Sequence, residues 1–419
     1  MSLNGIKKTI VEADLSELYG DAERAKERIL ALADLFGAKY GERECAMLFS
    51  VSGRSEICGN HTDHNRGAAI AAAIDRDIIA IASPRHDGMI SVQSEGRRED
   101  CIAVSLAHDP ANFPKFKSAS LIAGVVGGFI KAGYSVGGFD AYTATEVLSG
   151  SGLSSSAAFE VMIGNILNHL YNDGKIPAKE IAKIAQYSEN VYFGKPCGLM
   201  DQLAVAVGGF VYMDFGTDDP TVEKIEFSLA DEGYRLCIVS TGGSHADLND
   251  DYASIPEEMR TVARALGREC LAGVGEDELM ARMPSLLARV PDRALLRAIH
   301  FVGECERVKD MRAALTDKRM DEVLRLHRLS GHSSFEYLQN VFTTRHKGQR
   351  MSLAIAISDR YLNGKAASVR VHGGGFAGTI QAIVPAADAE GYRCAMDAVF
   401  GKGATMVLGV RAAGAVRIM

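Results

Sequence analysis

An excess of positive charge, a pairing pattern among cysteines and an unbroken apolar run are all missing from this chain, and each absence excludes a class of protein. The net charge of −7 argues against nucleic acid or an anionic membrane as the main partner, while leaving room for a local basic pocket for a nucleotide. Eight cysteines (Cys45, Cys58, Cys101, Cys197, Cys237, Cys270, Cys305 and Cys394) lie scattered without a Cys-x-x-Cys pair. Reduced thiols in a cytoplasm fit that pattern better than a disulfide framework or a zinc site. The longest apolar stretch, residues 68–82, is cut by Asp75-Arg76-Asp77, so no membrane-spanning helix is expected there. Residues 1–8 lack the apolar core of a signal peptide. Neither an internal repeat nor a low-complexity tract is present. Tryptophan is absent too, but the 47% hydrophobic and 24% charged content is that of an ordinary globular protein. The expectation is a cytoplasmic protein, long enough for two domains.

Ala22, Ala25, Ile29, Leu32 and Phe36 recur at helical spacing and predict an amphipathic helix over about residues 20–38. Short apolar runs at 46–51, 68–81 and 89–93 predict strands. Helices are expected at 118–132, 155–171 and 178–192, an extended segment at 139–147, and a hairpin at 203–215 turning at Gly208-Gly209. The polar stretch 216–220 is the expected boundary, dividing an N-terminal domain, 1–216, from a C-terminal one, 217–419. Beyond it, strands are expected at 235–240, 366–371, 379–384 and 405–410, helices between about 252 and 362, and a helix near 388–400. Strands and helices mix without strict βαβ alternation, which favours two α+β domains over a doubly wound sheet.

Four segments carry chemistry. Gly150-Ser151-Gly152-Leu153-Ser154-Ser155-Ser156 runs straight into the helical pattern that begins at Ala157. Such a turn presents backbone N–H groups at the positive end of a helix, where phosphate binds, and its hydroxyls can cap the helix, bond phosphate or ligate Mg²⁺. Residues 53–65 pack Arg54, Glu56, Asn60, His61, Asp63, His64 and Asn65 behind an apolar strand, a density of hydrogen-bonding groups suited to a small polyol. A metal centre of His61, Asp63 and His64 is the rival reading, although in an extended segment neighbouring side chains point oppositely. Asp201 sits between Leu199-Met200 and an apolar run, so its carboxylate is either paired with a cation, chemically active or a turn cap. The glycine turn Gly373-Gly374-Gly375-Phe376-Ala377-Gly378 would let backbone and ligand, or two domains, come close.

Taken together, these segments resemble the galactokinase branch of the GHMP kinases. The family's Gly-Arg-x-x-x-x-Gly-Glu-His-Thr-Asp-Tyr-Asn is matched by residues 53–65, and its Gly-x-Gly-Leu-Ser-Ser-Ser-Ala by 150–157. Its Cys-Gly-x-Met-Asp-Gln is matched by 197–202, and its Gly-Gly-Gly-Phe-Gly-Gly by 373–378, with Ala377 replacing a glycine. Weaker echoes are His245 with Tyr252, residues 300–307 and residues 330–334.

The resemblance implies a two-domain α+β fold, with a ribosomal-protein-S5-like N-terminal domain, a ferredoxin-like C-terminal domain and the active site in the cleft between them. It implies ATP-dependent phosphorylation of the anomeric hydroxyl of a hexose, most simply galactose, by a monomer or weak homo-oligomer whose partners are a small sugar and ATP. By the same resemblance Asp201 faces the hydroxyl as base or negative charge, with Arg54 beside it. Ser156 and Glu189 are implied as Mg²⁺ ligands. Gly150, Gly152, Leu153, Ser154, Ser155, Ser156 and Ala157 are implied around the ATP phosphates. Asn60, His61, Asp63, Gly198 and Tyr252 match sugar-contacting positions.

Departures bear on the substrate. Asn60 stands where the family has glutamate, His64 replaces tyrosine, His372 replaces threonine, and Pro256-Glu257-Glu258 stands where arginines usually follow Tyr252. A glutamate at position 60 would repel a sugar carboxylate by about 4 kcal/mol at ~4 Å and an effective dielectric near 20. Asparagine removes that repulsion, and a protonated His64 would add attraction. A galacturonate kinase is therefore an alternative to a galactokinase, other hexoses and N-acetylhexosamines are further ones, and a non-catalytic sugar and ATP sensor is an alternative of another class.

Overall fold

The structure, a computed structural model, describes residues 1–147, 152–243, 248–343, 348–376 and 378–419. Its spine is β2 (Ala68–Arg85), an 18-residue strand antiparallel to β1 (Met47–Cys58) between Ile70 and Ala82. The C-terminal half of β2 also pairs with β5 (Gly138–Thr145), and its N-terminal end with β6 (Phe210–Asp214), which hairpins into β7 (Thr221–Ile225). Beyond β5 lie β3 (Met89–Ser94), parallel to it, and β4 (Asp100–Ala103). On the other edge β1 pairs with β12 (Ala415–Arg417).

Period-two alternation along β2 divides its side chains between two cores. Ile79 and Ile81 pack against α1 (Leu3–Glu12) and α2 (Ala22–Tyr40), while Ile78, Ala80 and Ala82 face the main core. That core holds α3 (Ser118–Lys131), α4 (Ser155–Tyr171), α5 (Ala178–Tyr187) and α6 (Met200–Val207). The strand runs unbroken through Asp75-Arg76-Asp77 because the buried Asp77 carboxylate is satisfied. Tyr19 Oη and Ser50 Oγ donate to it at 2.5 Å, and Arg28 at 3.0 Å.

A second antiparallel sheet has the order β11 (Thr405–Leu408), β8 (Tyr234–Ser240), β10 (Thr379–Pro385), β9 (Ser368–Val371). Cys237, Val239, Ile380 and Ala382 face α11 (Arg350–Tyr361) and α12 (Ala386–Phe400). A helical layer of α7 (Asn249–Ala265), α8 (Glu276–Leu287), α9 (Asp292–Thr316) and α10 (Met320–Ser333) completes this half.

Three expectations are corrected. Residues 216–220 form the turn between β6 and β7 inside the first sheet, and β12 returns to that sheet from the far end of the chain. A division at 216/217 therefore cuts a hairpin, because a tight polar turn and a linker have the same composition. Residues 203–215 are not a hairpin either. The run from Met200 is helical, and Gly208, at φ 83°, ends it before β6. A short apolar run has no period that separates a buried strand from a buried helix. The helix expected at 178–192 stops at Tyr187 and continues as a π-helical turn, Ser188–Phe193.

Candidate active site

Arg54 lies on β1 where the register with β2 shifts between Ser52 and Arg54. The chain at residues 152–154 lies directly on this bulge, and Arg54 N donates to Leu153 O at 3.2 Å. From there the guanidinium grips Asp201 with two bonds, Nε to Oδ1 and Nη2 to Oδ2, both 2.7 Å, while Nη1 donates to Gly152 O. Asp201 sits in the first turn of α6, where the helix dipole favours an anion. Burial alone would raise its pKa, but Arg54 and a hydrogen bond from Ser154 Oγ hold the carboxyl below its ordinary range. The Asp201 side chain is 33% exposed, so a substrate can reach it.

Ser154 has left-handed backbone (φ 61°, ψ 55°) at the start of α4 and does not cap that helix. A non-glycine residue held there costs ~1 kcal/mol or more, and such strain collects at functional sites. Two residues on, Ser156 Oγ donates to Glu189 Oε1 at 3.1 Å. Glu189 belongs to the π-helical turn and accepts from Lys195 Nζ and Gln202 Nε2, both at 3.0 Å. Ser155 and Ser156 open onto a cleft of about 610 Å³ walled by Arg97, Arg98, Phe159 and Phe193. The Leu153 and Ala157 side chains are buried in the core, which leaves only their backbone for a ligand. Gly150 lies outside the described residues, as do His245 and Ala377.

Asp63 faces the same carboxylate. Burial first, then the charge of Asp201, push its pKa up to about 6. Gly198 lies against it, and an added Cβ would run into the Asp63 carboxylate. His61 Nε2 meets Gly374 O at 2.9 Å and Tyr252 Oη donates to Gly375 O at 2.8 Å, so the glycine turn closes one side of the site. His372 bridges Ser55 Oγ and Thr379 Oγ1, each at 2.9 Å, and packs beside Gly152.

The description "GHMP kinases N terminal domain" matches residues 120–209, and "Galactokinase galactose-binding signature" matches residues 34–84. The chain is 31% identical to a galactokinase of Streptomyces coelicolor over 376 residues, which cover 88% of this chain and 93% of that one. It is 30% identical to a galactokinase of Mycobacterium tuberculosis strain H37Rv over 349 residues, 81% and 89% of the two chains. The chain belongs to the galactokinase family. It is accordingly a sugar kinase of GHMP fold. A crystal structure of Lactococcus lactis galactokinase complexed with galactose superimposes with a TM-score of 0.80 at 21% identity, covering 93% of this chain and all of that one.

Within this galactokinase-family site the two departures have particular surroundings. Asn60 is wholly buried and its amide is spent. Nδ2 donates to Glu56 Oε1 (3.1 Å) and Gly373 O (2.8 Å), while Oδ1 accepts from Asn340 Nδ2 (2.7 Å) and Ser334 Oγ (3.2 Å). It ties β1 to the second half. His64 carries no charge at neutral pH, because burial and the neighbouring His61 and Arg260 push its pKa well below the ordinary value. Its ring joins a chain of neutral groups, with His61 Nδ1 3.2 Å from His64 Nε2 and Asn65 Nδ2 donating to His64 Nδ1 at 3.0 Å. The attraction that a charged His64 would offer a uronate thereby falls away. Among the described residues His61, Asp63 and His64 do not group as metal ligands.

No sequence signal marks Lys195 or Glu160, and Gln202 stands out only as the last residue of the match over 197–202. Gln202 follows Asp201 and shares its Nε2 between Glu189 and the buried Glu160. Its place beside Asp201 on the first turn of a helix was the available signal, concealed because that run looked like a strand.

Proposed function

We propose that the protein transfers the γ-phosphoryl group of ATP to the anomeric hydroxyl of galactose, giving galactose 1-phosphate and ADP. The observation that carries this is the bidentate Arg54–Asp201 pair, part-exposed and hydrogen-bonded to the serine at the start of α4. Asp201 accepts the C1 hydroxyl's hydrogen bond and aims its oxygen at the γ-phosphorus. The O–P bond then forms as the bond to ADP breaks, and the proton passes to Asp201 late. A base held at low pKa suits this chemistry, because a loose transition state demands alignment and charge compensation more than early deprotonation. Arg54 keeps Asp201 in one orientation and adds positive charge where charge develops.

Asp63, beside Gly198, would accept from a second sugar hydroxyl, with His61 and Tyr252 holding the glycine turn against the sugar. The backbone of residues 152–157 and the Ser155 hydroxyl would meet the phosphates at the N-terminus of α4. Mg²⁺ fits Ser156 and Glu189, whose hydroxyl and carboxylate oxygens lie 3.1 Å apart and are of the hard type that cation takes. When bound it neutralises phosphate charge. All eight cysteines are unpaired, which supports a reducing compartment, the cytoplasm. Among the described residues no helix is long and apolar enough to cross a membrane.

The test is release of ADP from MgATP with a panel of galactose, galacturonate and N-acetylgalactosamine, the product being identified by ³¹P NMR. Galactose should give an anomeric phosphate at the highest kcat/KM. ADP release with galacturonate and none with galactose would overturn the assignment.

A further inference from the structure

Lys195 stands between Gly194 and Pro196, and nothing in its spacing marks it out. The fold does. Its backbone N–H and that of Gly194 both donate to the Glu189 carbonyl, at 3.1 and 3.0 Å, with Gly194 in the left-handed region at φ 87°. This closure of the π-helical turn folds Lys195 back over a residue six positions earlier. Its ammonium lies 3.0 Å from Glu189 Oε1, the same oxygen that accepts from Ser156 Oγ. The ammonium thus provides positive charge at the place where Ser156 and Glu189 would hold a cation.

Lysine at position 195 brings the full positive charge of an ordinary ammonium at neutral pH. The side chain is 58% exposed. The contrast with Arg54 is instructive. That guanidinium is committed to both oxygens of Asp201 and to Gly152 O, whereas the Lys195 ammonium pairs with one carboxylate oxygen on a flexible four-carbon stem. A divalent ion and an ammonium cannot share one carboxylate oxygen without strong repulsion. The incoming triphosphate offers the displaced ammonium a richer set of acceptors, and lysine binds phosphate as a mobile point charge.

Resting on the kinase reading above, we propose that Lys195 is a phosphate-binding residue with two positions: on Glu189 when no nucleotide is present, and on the nucleotide's terminal phosphate oxygens once a nucleotide binds, with or without metal, which leaves Glu189 Oε1 to the cation. Removing the ammonium should then act with opposite signs on the two ligands. The full-length protein and its Lys195→Met and Lys195→Arg variants are titrated with a fluorescent ATP analogue in EDTA and, separately, with Mn²⁺ alone by electron paramagnetic resonance. Lys195→Met should weaken metal-free nucleotide binding about tenfold, the worth of one charge-assisted hydrogen bond, and should bind Mn²⁺ several-fold tighter. Lys195→Arg should restore both towards wild type, with an unchanged unfolding midpoint in each variant. No change in either affinity, or a weakening of both together, would overturn the proposal. Absence of galactose turnover in the wild-type protein would instead overturn the kinase reading, and these two binding measurements would stand apart from it.

Discussion

Residues 53–65 feed two polar clusters that differ in what their groups have left to offer. On one side, Arg54 and Asp63 meet Asp201, Ser154 and Gly198 in a half-open setting, with a carboxylate that a substrate can touch. On the other, Glu56 and Asn60 enter a sealed network. Arg370 pairs with Glu56 at 2.7 Å, and Glu304 accepts from Gly59 N at 2.9 Å and from Arg307 at 2.7 Å. His300 Nε2 lies 2.9 Å from Asn60 O. Both clusters hold paired charges, yet only the first leaves valences exposed. The second converts a similar set of residues into a weld between β1, the α9–α10 pair and β9. Functional capacity here follows unspent hydrogen-bonding groups, not the density of polar residues.

The largest effects should separate the clusters cleanly. Asp201→Asn should lower kcat by about 10³-fold or more while ATP binding and the unfolding midpoint hold, since general acid–base and electrostatic roles are of that size. Wild-type turnover in that variant would remove Asp201 from the reaction. Glu56→Ala should do the reverse. It strands the fully buried Arg370, so unfolding in urea should show a loss of about 3–5 kcal/mol, while molecules that remain folded keep their kcat. A stable Glu56→Ala protein with lost turnover would show that the two clusters are one.

What was legible in the sequence follows the same line. Ser155–Tyr171 is a helix to the residue, since its apolar spacing, its glycine-rich entry and its length all point one way. The strand of α6 residues that turned out helical, and the strand β12 of three residues, had no such agreement between signals. In the site, Arg54, Asp201, Ser156 and Glu189 were singled out through matched motifs, and the structure brings them into two adjoining contacts. The surroundings of Asn60 and His64 are not legible in the sequence. Whether the Asn60 amide faces a ligand or a neighbour depends on segments more than 200 residues away, here Ser334 and Asn340, and whether His64 carries a charge depends on burial and on the charges of His61 and Arg260 around it. Lys195 escaped notice because a π-helical turn, not an α-helical period, sets it over Glu189.

Restoring the family's glutamate tests whether Asn60 belongs wholly to the weld. Asn60→Glu would set a second carboxylate against Glu56 and Gly373 O, where Nδ2 now donates. A stability loss of about 2–3 kcal/mol is expected from acceptors left unpaired and a like charge brought in. The ratio of kcat/KM for galactose to that for galacturonate should barely move. A large swing in that ratio without loss of stability would return Asn60 to the sugar.

The smallest effect probes the open cluster through pH. Asp63 has a folded-state pKa of about 6 against an ordinary 3.8, so the folded chain binds this proton more tightly than the unfolded chain does. Its contribution to stability is therefore present in acid and declines as pH rises between those two values, then stays flat. Sugar binding should run the other way, because only the carboxylate accepts from a hydroxyl without competition from its own proton. At pH 5 roughly a tenth of Asp63 is ionised, and the galactose KM should be about tenfold higher than at pH 7.5. Of its neighbours, Asp201, held below the ordinary carboxylate range by Arg54 despite burial, stays ionised across that range and adds no competing slope, while burial lowers the pKa of His61. Asp63→Asn should flatten both the KM profile and its share of the stability profile. A KM that is level from pH 5 to 7.5 in the wild-type protein would place Asp63 with the sealed groups, as a neighbour of the sugar's site and not a ligand of the sugar.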